Sequence, residues 1–316
     1  MDISIVVPLY NEEESLPELM AWIKRVVDQH KLLCEVVMVD DGSTDSSWSV
    51  VQQLQKEYGD MLCGIRFQRN YGKAAALYSG FAAAQGSVVI TMDADLQDSP
   101  DEIPELYRMV IEEGYDVVSG WKKKRHDPLS KRLPSKLYNA TVRYVTGIKL
   151  HDMNCGLKAY RRKVVKSIEV YGDMHRYIPV LAKQAGFKKI GEKVVQHQAR
   201  KYGESKFGWH RFLTGFLDMM SVIFVTKFGK KPMHFFGVMG ALMFLIGLSM
   251  AVYLGVKKIY GMANGLSTML IANSPYFYIG LTVMIMGTLL FLAGYLGELI
   301  ARSSGDRNQY LVEEKI

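Results

Sequence analysis

Residues 235–256 and 276–297 form two stretches of 22 residues each that contain no charged side chain. A helix rises 1.5 Å per residue, so each stretch covers about 33 Å, close to the ~30 Å hydrocarbon core of a bilayer. Core helices of soluble proteins rarely run so far without a charge, and the pair reads as two membrane-spanning helices. Arg211, Lys227, Lys230, Lys231, Arg302 and Arg307 flank the pair on one side, against Lys257 and Lys258 on the other. The positive-inside tendency then puts both ends of the chain in the cytoplasm. The N-terminal apolar run, 3–9, is too short for a signal peptide and has no basic region before it. The large N-terminal part is therefore expected in the cytosol, on a multi-pass protein of the inner membrane.

The 316 residues, 49% hydrophobic and 22% charged, allow one large domain besides these spans. Residues 1 to 120 alternate apolar runs with helical patterns. Strands are expected at 3–7, 34–39, 62–67, 88–92 and 116–119, with helices at 13–30, 46–58, 73–85 and 101–113 between them. Such alternation implies a mainly parallel α/β sheet covered by helices, with ligands at the carboxyl ends of its strands. Residues 121–210 are less regular, with one helical stretch at 134–146. The segment 207–232 begins as an amphipathic helix expected in the membrane interface. The expected organisation is thus a catalytic domain over 1–206, juxtamembrane helices over 207–232, the two spans within 233–300, and a cytosolic tail over 301–316.

Cys34, Cys63 and Cys155 are widely spaced and odd in number, so they read as free thiols of a reducing compartment. The net charge of +7 is clustered, with seven Lys/Arg against one Asp between positions 122 and 136. Beside two spans, that run suits anionic headgroups or a lipid phosphate.

Asp93-Ala94-Asp95-Leu96-Gln97 follows an apolar run, 86–92, that reads as a buried strand. Positions i and i+2 of a strand point the same way, so both carboxylates would crowd one spot at its end. Like charges there are costly unless a cation joins them. A hard divalent ion, held by one or two carboxylates and a substrate's phosphates, fits; an acidic turn capping the next helix is the alternative. Asp40-Asp41-Gly42-Ser43 ends another strand, where carboxylates can accept hydrogen bonds from base and ribose while Gly42 permits the turn. Lys73 opens a helix, where a solvated start competes with a phosphate contact, and His175 reads equally as a surface residue.

Together with VVPLYNEEESL, VMVDDGSTDSS, RNYGKAAALYSGF, ITMDADLQDSP, HDMNCGLKAYRR, HRYIP and RKYGESKFG, these motifs resemble inverting family 2 glycosyltransferases of the polyprenyl-phosphate branch. That branch includes dolichyl-phosphate mannose synthase and bacterial undecaprenyl-phosphate glycosyltransferases. The motifs cover the whole soluble part in family order, and paired C-terminal spans match the bacterial members. The resemblance implies a GT-A fold and transfer of one sugar from a UDP- or GDP-linked donor to a polyprenyl phosphate, with Mg2+ or Mn2+ as cofactor. It implies that Pro8, Tyr10, Glu12, Asp40 and Asp41 hold base and ribose, and that Arg200 and Lys206 close over the diphosphate. Asp93 should meet the donor's sugar or phosphate region, Asp95 and Gln97 the metal, and Arg125, Arg132 and Ser135 the acceptor phosphate. Asp152 should orient sugar or acceptor, or act as a base. The expected partners are the nucleotide sugar, the lipid, the membrane and further copies of the chain, with no nucleic acid. A processive polysaccharide synthase fits less well, since the chain has no Q-x-x-R-W segment and fewer spans than usual. A non-catalytic sensor of sugar donors predicts loss of Asp93, Asp95 and Gln97, yet all three are present.

Overall fold

The computed structural model describes residues 1–123, 141–144, 146–170, 172, 174–198, 201–202, 232–266 and 270–303. The chain divides into two compact units, Met1–Ile223 and Phe224–Ile316.

Among the described residues the first unit holds seven strands, β1 (Ile3–Leu9), β2 (Cys34–Asp40), β3 (Leu62–Arg66), β4 (Val88–Thr91), β5 (Val117–Trp121), β6 (Lys158–Arg161) and β7 (Ile190–Val194). They form one sheet in the order β3-β2-β1-β4-β6-β5-β7. Every pairing is parallel except those of β6, which runs antiparallel to both β4 and β5. Helices α1 (Leu16–Gln29), α2 (Ser47–Tyr58), α3 (Lys73–Ala83), α4 (Ile103–Ile111), α5 (Arg162–Ser167) and α6 (Ile178–Gln184) connect or flank them.

The two-residue period of the strands sorts side chains onto two cores. Ile3, Ile5, Val7 and Leu9 of β1 share one buried cluster with Leu16, Leu19, Met20 and Ile23 of α1. Val6, Val37 and Val39 point the other way, into a cluster with Ala76, Leu77 and Phe81 of α3. A sheet covered on both faces needs strands apolar on both faces, which is why β1 and β2 are mostly apolar, interrupted inside only by the mutually bonded Ser4 and Glu35. This is a mainly parallel α/β sheet of GT-A type. On the two sides of β1 lie β2 and β4, so the chain reverses its direction of travel across the sheet there. A crevice opens at such a point beyond the strands' carboxyl ends.

Helix α1 begins three residues later than its apolar pattern implies. Residues 12–15 are spent on a neighbouring loop instead: the Glu12 amide donates to Ser47 Oγ (2.9 Å) and the Ser46 amide to the Glu13 carboxylate (2.7 Å). Strands β6 and β7 were not expected at all.

The second unit pairs α7 (Pro232–Ala263) with α8 (Pro275–Ser303). Their apolar windows, within Pro232–Ala263 and Pro275–Ile300, have mean hydropathies of 2.2 and 2.0, long and apolar enough to cross a membrane. Large side chains such as Leu242, Leu245, Ile246, Leu289 and Leu296 are exposed. Such a surface calls for hydrocarbon, not water. The chain is a membrane protein. Between the helices the contact is made by glycines spaced seven residues apart, two turns of helix: Gly240 and Gly247 on α7, Gly280 and Gly287 on α8. A Cβ on Gly287 would stand 2.6 Å from the Gly240 carbonyl oxygen, and one on Gly247 would stand 2.4 Å from that of Gly280. Backbones this close are how helices gain packing energy in lipid, where no hydrophobic effect drives them together. Gly287→Leu should therefore lower the thermal midpoint of the detergent-solubilised protein, at a cost of about 1–3 kcal/mol for overpacking. Gly255→Leu is the control, because a Cβ there meets nothing within 4 Å, and it should leave the midpoint unchanged.

Candidate active site

Beyond the carboxyl ends of β1 and β2, the chain is tied down by its own acidic groups. Asp40 is fully buried; one carboxylate oxygen accepts the Ser43 amide (2.9 Å) and the other lies 3.6 Å from Arg66 Nε. Asp41 accepts the amides of Tyr71 (2.7 Å) and Gly72 (2.9 Å), one on each oxygen, and so fixes the turn that opens α3. Burial raises the Asp41 carboxyl above its ordinary value, against the pull of those two amides. Gly42 adopts φ +71°, and a Cβ there would stand 2.4 Å from the Arg69 carbonyl carbon, so only glycine fits. Pro8 lies in β1 opposite Val39, while Tyr10 and Glu12 follow in the loop, part-buried, with Asn11 at φ 56° and its amide bonded to Ser43 Oγ (2.9 Å). Pro8, Tyr10, Glu12, Asp40 and Asp41 therefore lie together at the carboxyl ends of β1 and β2.

Strand β4 ends at Thr91, and Asp93 to Gln97 form a loop, not the strand end that would align both carboxylates. Asp93 has its cation already: it is ion-paired with Lys73, the first residue of α3. Burial opposes its ionisation, but Lys73, then Lys122 and Lys158, outweigh it and hold the carboxyl well below the usual carboxylate range. Asp93 also packs on Gly156, where a Cβ would stand 2.4 Å from a carboxylate oxygen. Asp95 is separate. Its carboxylate accepts the Gln97 amide (3.2 Å) across Leu96, which sits at φ 59°. Both Asp95 and Gln97 are part-exposed.

Asp152 is buried, 2% exposed, and one of its oxygens accepts the Asn154 amide (3.1 Å). Both it and Asp93 act electrostatically on Lys158 of β6, which is buried and donates to the Cys155 carbonyl. Burial, and then Lys73, lower the Lys158 ammonium against the opposing influence of Cys155, Asp152 and Asp93. Lys122 does not join a solvated basic face: it turns inward to Asp98, 2.7 Å away. Nor is His175 a surface histidine. Its Nδ1 is buried without a hydrogen-bond partner among the described residues, and burial, with Lys73, Arg176 and Lys158 adding, pushes the ring down to about 3. Sequence reasoning missed Asp98, Lys122 and Lys158, because a charged residue in a sequence looks solvated. The buried β4–β6–β5 centre of the sheet is what turns them inward. Arg125, Arg132, Ser135, Arg200, Lys206 and the juxtamembrane segment 207–231 lie outside the described residues.

A sequence model of glycosyl transferase family 2 matches residues 4–169, from β1 through α5. The chain belongs to that family. Among its relatives, the dodecaprenyl-phosphate galacturonate synthase of Rhizobium johnstonii is 34% identical over 305 residues, 96% of this chain and 88% of that protein. The undecaprenyl-phosphate 4-deoxy-4-formamido-L-arabinose transferase of Aeromonas hydrophila is 32% identical over 315 residues, 99% of this chain and 93% of that protein. The likeness thus extends through both apolar helices. Among solved structures, glucosyl-3-phosphoglycerate synthase of Mycobacterium tuberculosis, in complex with Mn2+, UDP and phosphoglyceric acid, superposes with a TM-score of 0.55 at 19% identity, covering 71% of this chain and 78% of that one. That likeness is one of fold.

In this glycosyltransferase no cluster of three or more His, Cys, Asp or Glu gathers among the described residues. A metal held by one or two carboxylates can take its remaining oxygen ligands from a substrate's phosphates. Asp95 and Gln97 offer carboxylate and amide oxygens on one turn, part-exposed at the crevice, and oxygen donors suit hard divalent ions. Asp93, committed to Lys73, is not needed for that set.

Proposed function

We propose that the protein transfers a single sugar, with inversion, from a uridine or guanosine diphosphate sugar to the phosphate of a membrane polyprenol such as undecaprenyl phosphate. One observation carries the reading: Asp41, Asp93, Asp95 and Gln97 follow the carboxyl ends of β2 and β4 in a chain whose remaining unit is two apolar, membrane-length helices. A soluble acceptor would give those helices no purpose. The relatives named above, alike over both units, support the lipid acceptor.

Tyr10, Glu12, Pro8 and the Asp40–Asp41 turn receive the nucleoside, with Arg200 and Lys206 taken from the family resemblance as cations for the diphosphate. Asp95 and Gln97 would hold Mg2+ or Mn2+, which supplies charge neutralisation for the departing diphosphate. A phosphate oxygen of the lipid attacks the anomeric carbon as the bond to the diphosphate breaks, and the electron pair leaves with the nucleotide. That nucleophile is anionic near pH 7 and needs placement and desolvation more than a base. Asp93, held ionised by Lys73, is a poor proton acceptor; it is suited to hydrogen-bonding the donor's sugar while Lys73 faces the developing phosphate charge. Asp152 orients the sugar or the acceptor beside it. Arg125, Arg132 and Ser135 take the acceptor phosphate. The catalytic unit, 1–206, works at the cytoplasmic face of the inner membrane, reached through the 207–232 segment.

Purified full-length protein should label polyprenyl phosphate from a radiolabelled donor and leave soluble alcohols and free sugars unlabelled. Equal labelling of a soluble alcohol would contradict the lipid acceptor.

A further inference from the structure

Asp98 is fully buried, directly after Gln97, in a loop that carries the proposed metal-diphosphate ligands. Lys122 Nζ stands 2.7 Å from one of its carboxylate oxygens, and the other has no hydrogen-bond partner among the described residues. The lysine comes from the end of β5, which is not adjacent to β4: β6 lies between them. The ion pair therefore reaches across a strand to the donor loop. On its other flank the loop is stitched by backbone, with the Gln198 amide donating to the Gln97 carbonyl (2.9 Å) and a bridge between Asp98 and His197. Leu96, in the left-handed region, strains the same turn.

A buried ion pair is a poor source of stability, since an apolar pair of similar volume is often as stable or more so. What it supplies is a fixed direction. We infer that Asp98 and Lys122 are positioning residues that hold the Asp95–Gln97 turn in its ligand-binding geometry. The inference rests on the reading of that turn as the metal-diphosphate site.

The test separates positioning from folding with the double variant Asp98→Leu/Lys122→Met, which removes both charges together. Full-length protein in detergent is titrated calorimetrically with UDP and with GDP, each with Mn2+, and its thermal midpoint is recorded. The double variant is expected to keep the wild-type midpoint while its affinity for the nucleotide that wild type binds falls about 10- to 100-fold, the usual cost of losing a partner that orients a metal ligand. Lys122→Arg, which keeps the cation, should stay near wild type. An unchanged affinity in the double variant overturns the inference. Should the double variant lose both stability and affinity, Lys122→Arg decides: retained affinity supports the positioning role, and lost affinity overturns it. Failure of the underlying reading looks different. In that case Asp95→Ala binds nucleotide and Mn2+ as wild type does, whatever Asp98 shows.

Discussion

Asp95→Ala is expected to lower sugar transfer by about 10³-fold or more while the protein stays folded, because it removes a carboxylate that would hold the ion neutralising the diphosphate. The fold should survive for a structural reason. Asp95 is part-exposed on a loop after β4, outside both buried clusters, and its bond to the Gln97 amide, at 3.2 Å, is a local one. Removing Asp98, by contrast, would strand the part-buried Lys122. The check is the rate of transfer in membranes set beside the thermal midpoint of the purified variant. A variant that is stable and fully active would remove Asp95 from the site. Full wild-type activity after exhaustive treatment with a chelator would do the same for the ion.

Gly156→Ala is the second large effect, and it arises from a single methyl group. The added carbon would sit 2.4 Å from one Asp93 oxygen, 2.6 Å from the carboxyl carbon and 2.8 Å from the other oxygen. Asp93 is not free to swing aside, since its ion pair with Lys73 holds it. Nor can the Gly156 backbone retreat, because its carbonyl accepts the Thr91 hydroxyl (2.8 Å) beside the β4–β6 pairing. The carboxylate must therefore move relative to the donor's sugar. A displacement near 1 Å at a reacting centre costs about 10²-fold in rate. The expected result is a drop of that size in turnover with little change in nucleotide affinity, which we assign to Tyr10, Glu12 and Asp41. Wild-type turnover in a folded Gly156→Ala protein would show that Asp93 does not meet the sugar.

The parallel half of the sheet could be read from the sequence because burial on both faces leaves a plain mark: β1, β2 and β4 are mostly apolar, and α1 between β1 and β2 buries Leu16, Leu19, Met20, Ile23, Val26 and Val27 at helical spacing. β6 leaves no such mark. Lys158-Ala159-Tyr160-Arg161 is four residues with a cation at each end, and only its insertion between β4 and β5 buries Lys158. β7 is an edge strand whose residues are all half-buried or exposed, so Ile190-Gly191-Glu192-Lys193-Val194 shows no strong pattern. The site divides the same way. Aspartates at strand ends are visible because strand ends are visible. The lysines that neutralise them come from elsewhere in the chain, and only the fold brings Lys73 to Asp93 and Lys122 to Asp98. The basic run beginning at Lys122 thus holds at least one residue whose charge serves the interior, not a lipid headgroup.

Transfer of one sugar to one lipid phosphate with inversion is decided by the product itself. Purified protein is incubated with undecaprenyl phosphate, Mn2+ and a panel of nucleotide sugars, and the lipid fraction is analysed by mass spectrometry and NMR. A polyprenyl monophosphate carrying a single sugar, of anomeric configuration opposite to the donor's, is the predicted result. A sugar chain on the lipid, a product of retained configuration, or label found only on soluble molecules would contradict it.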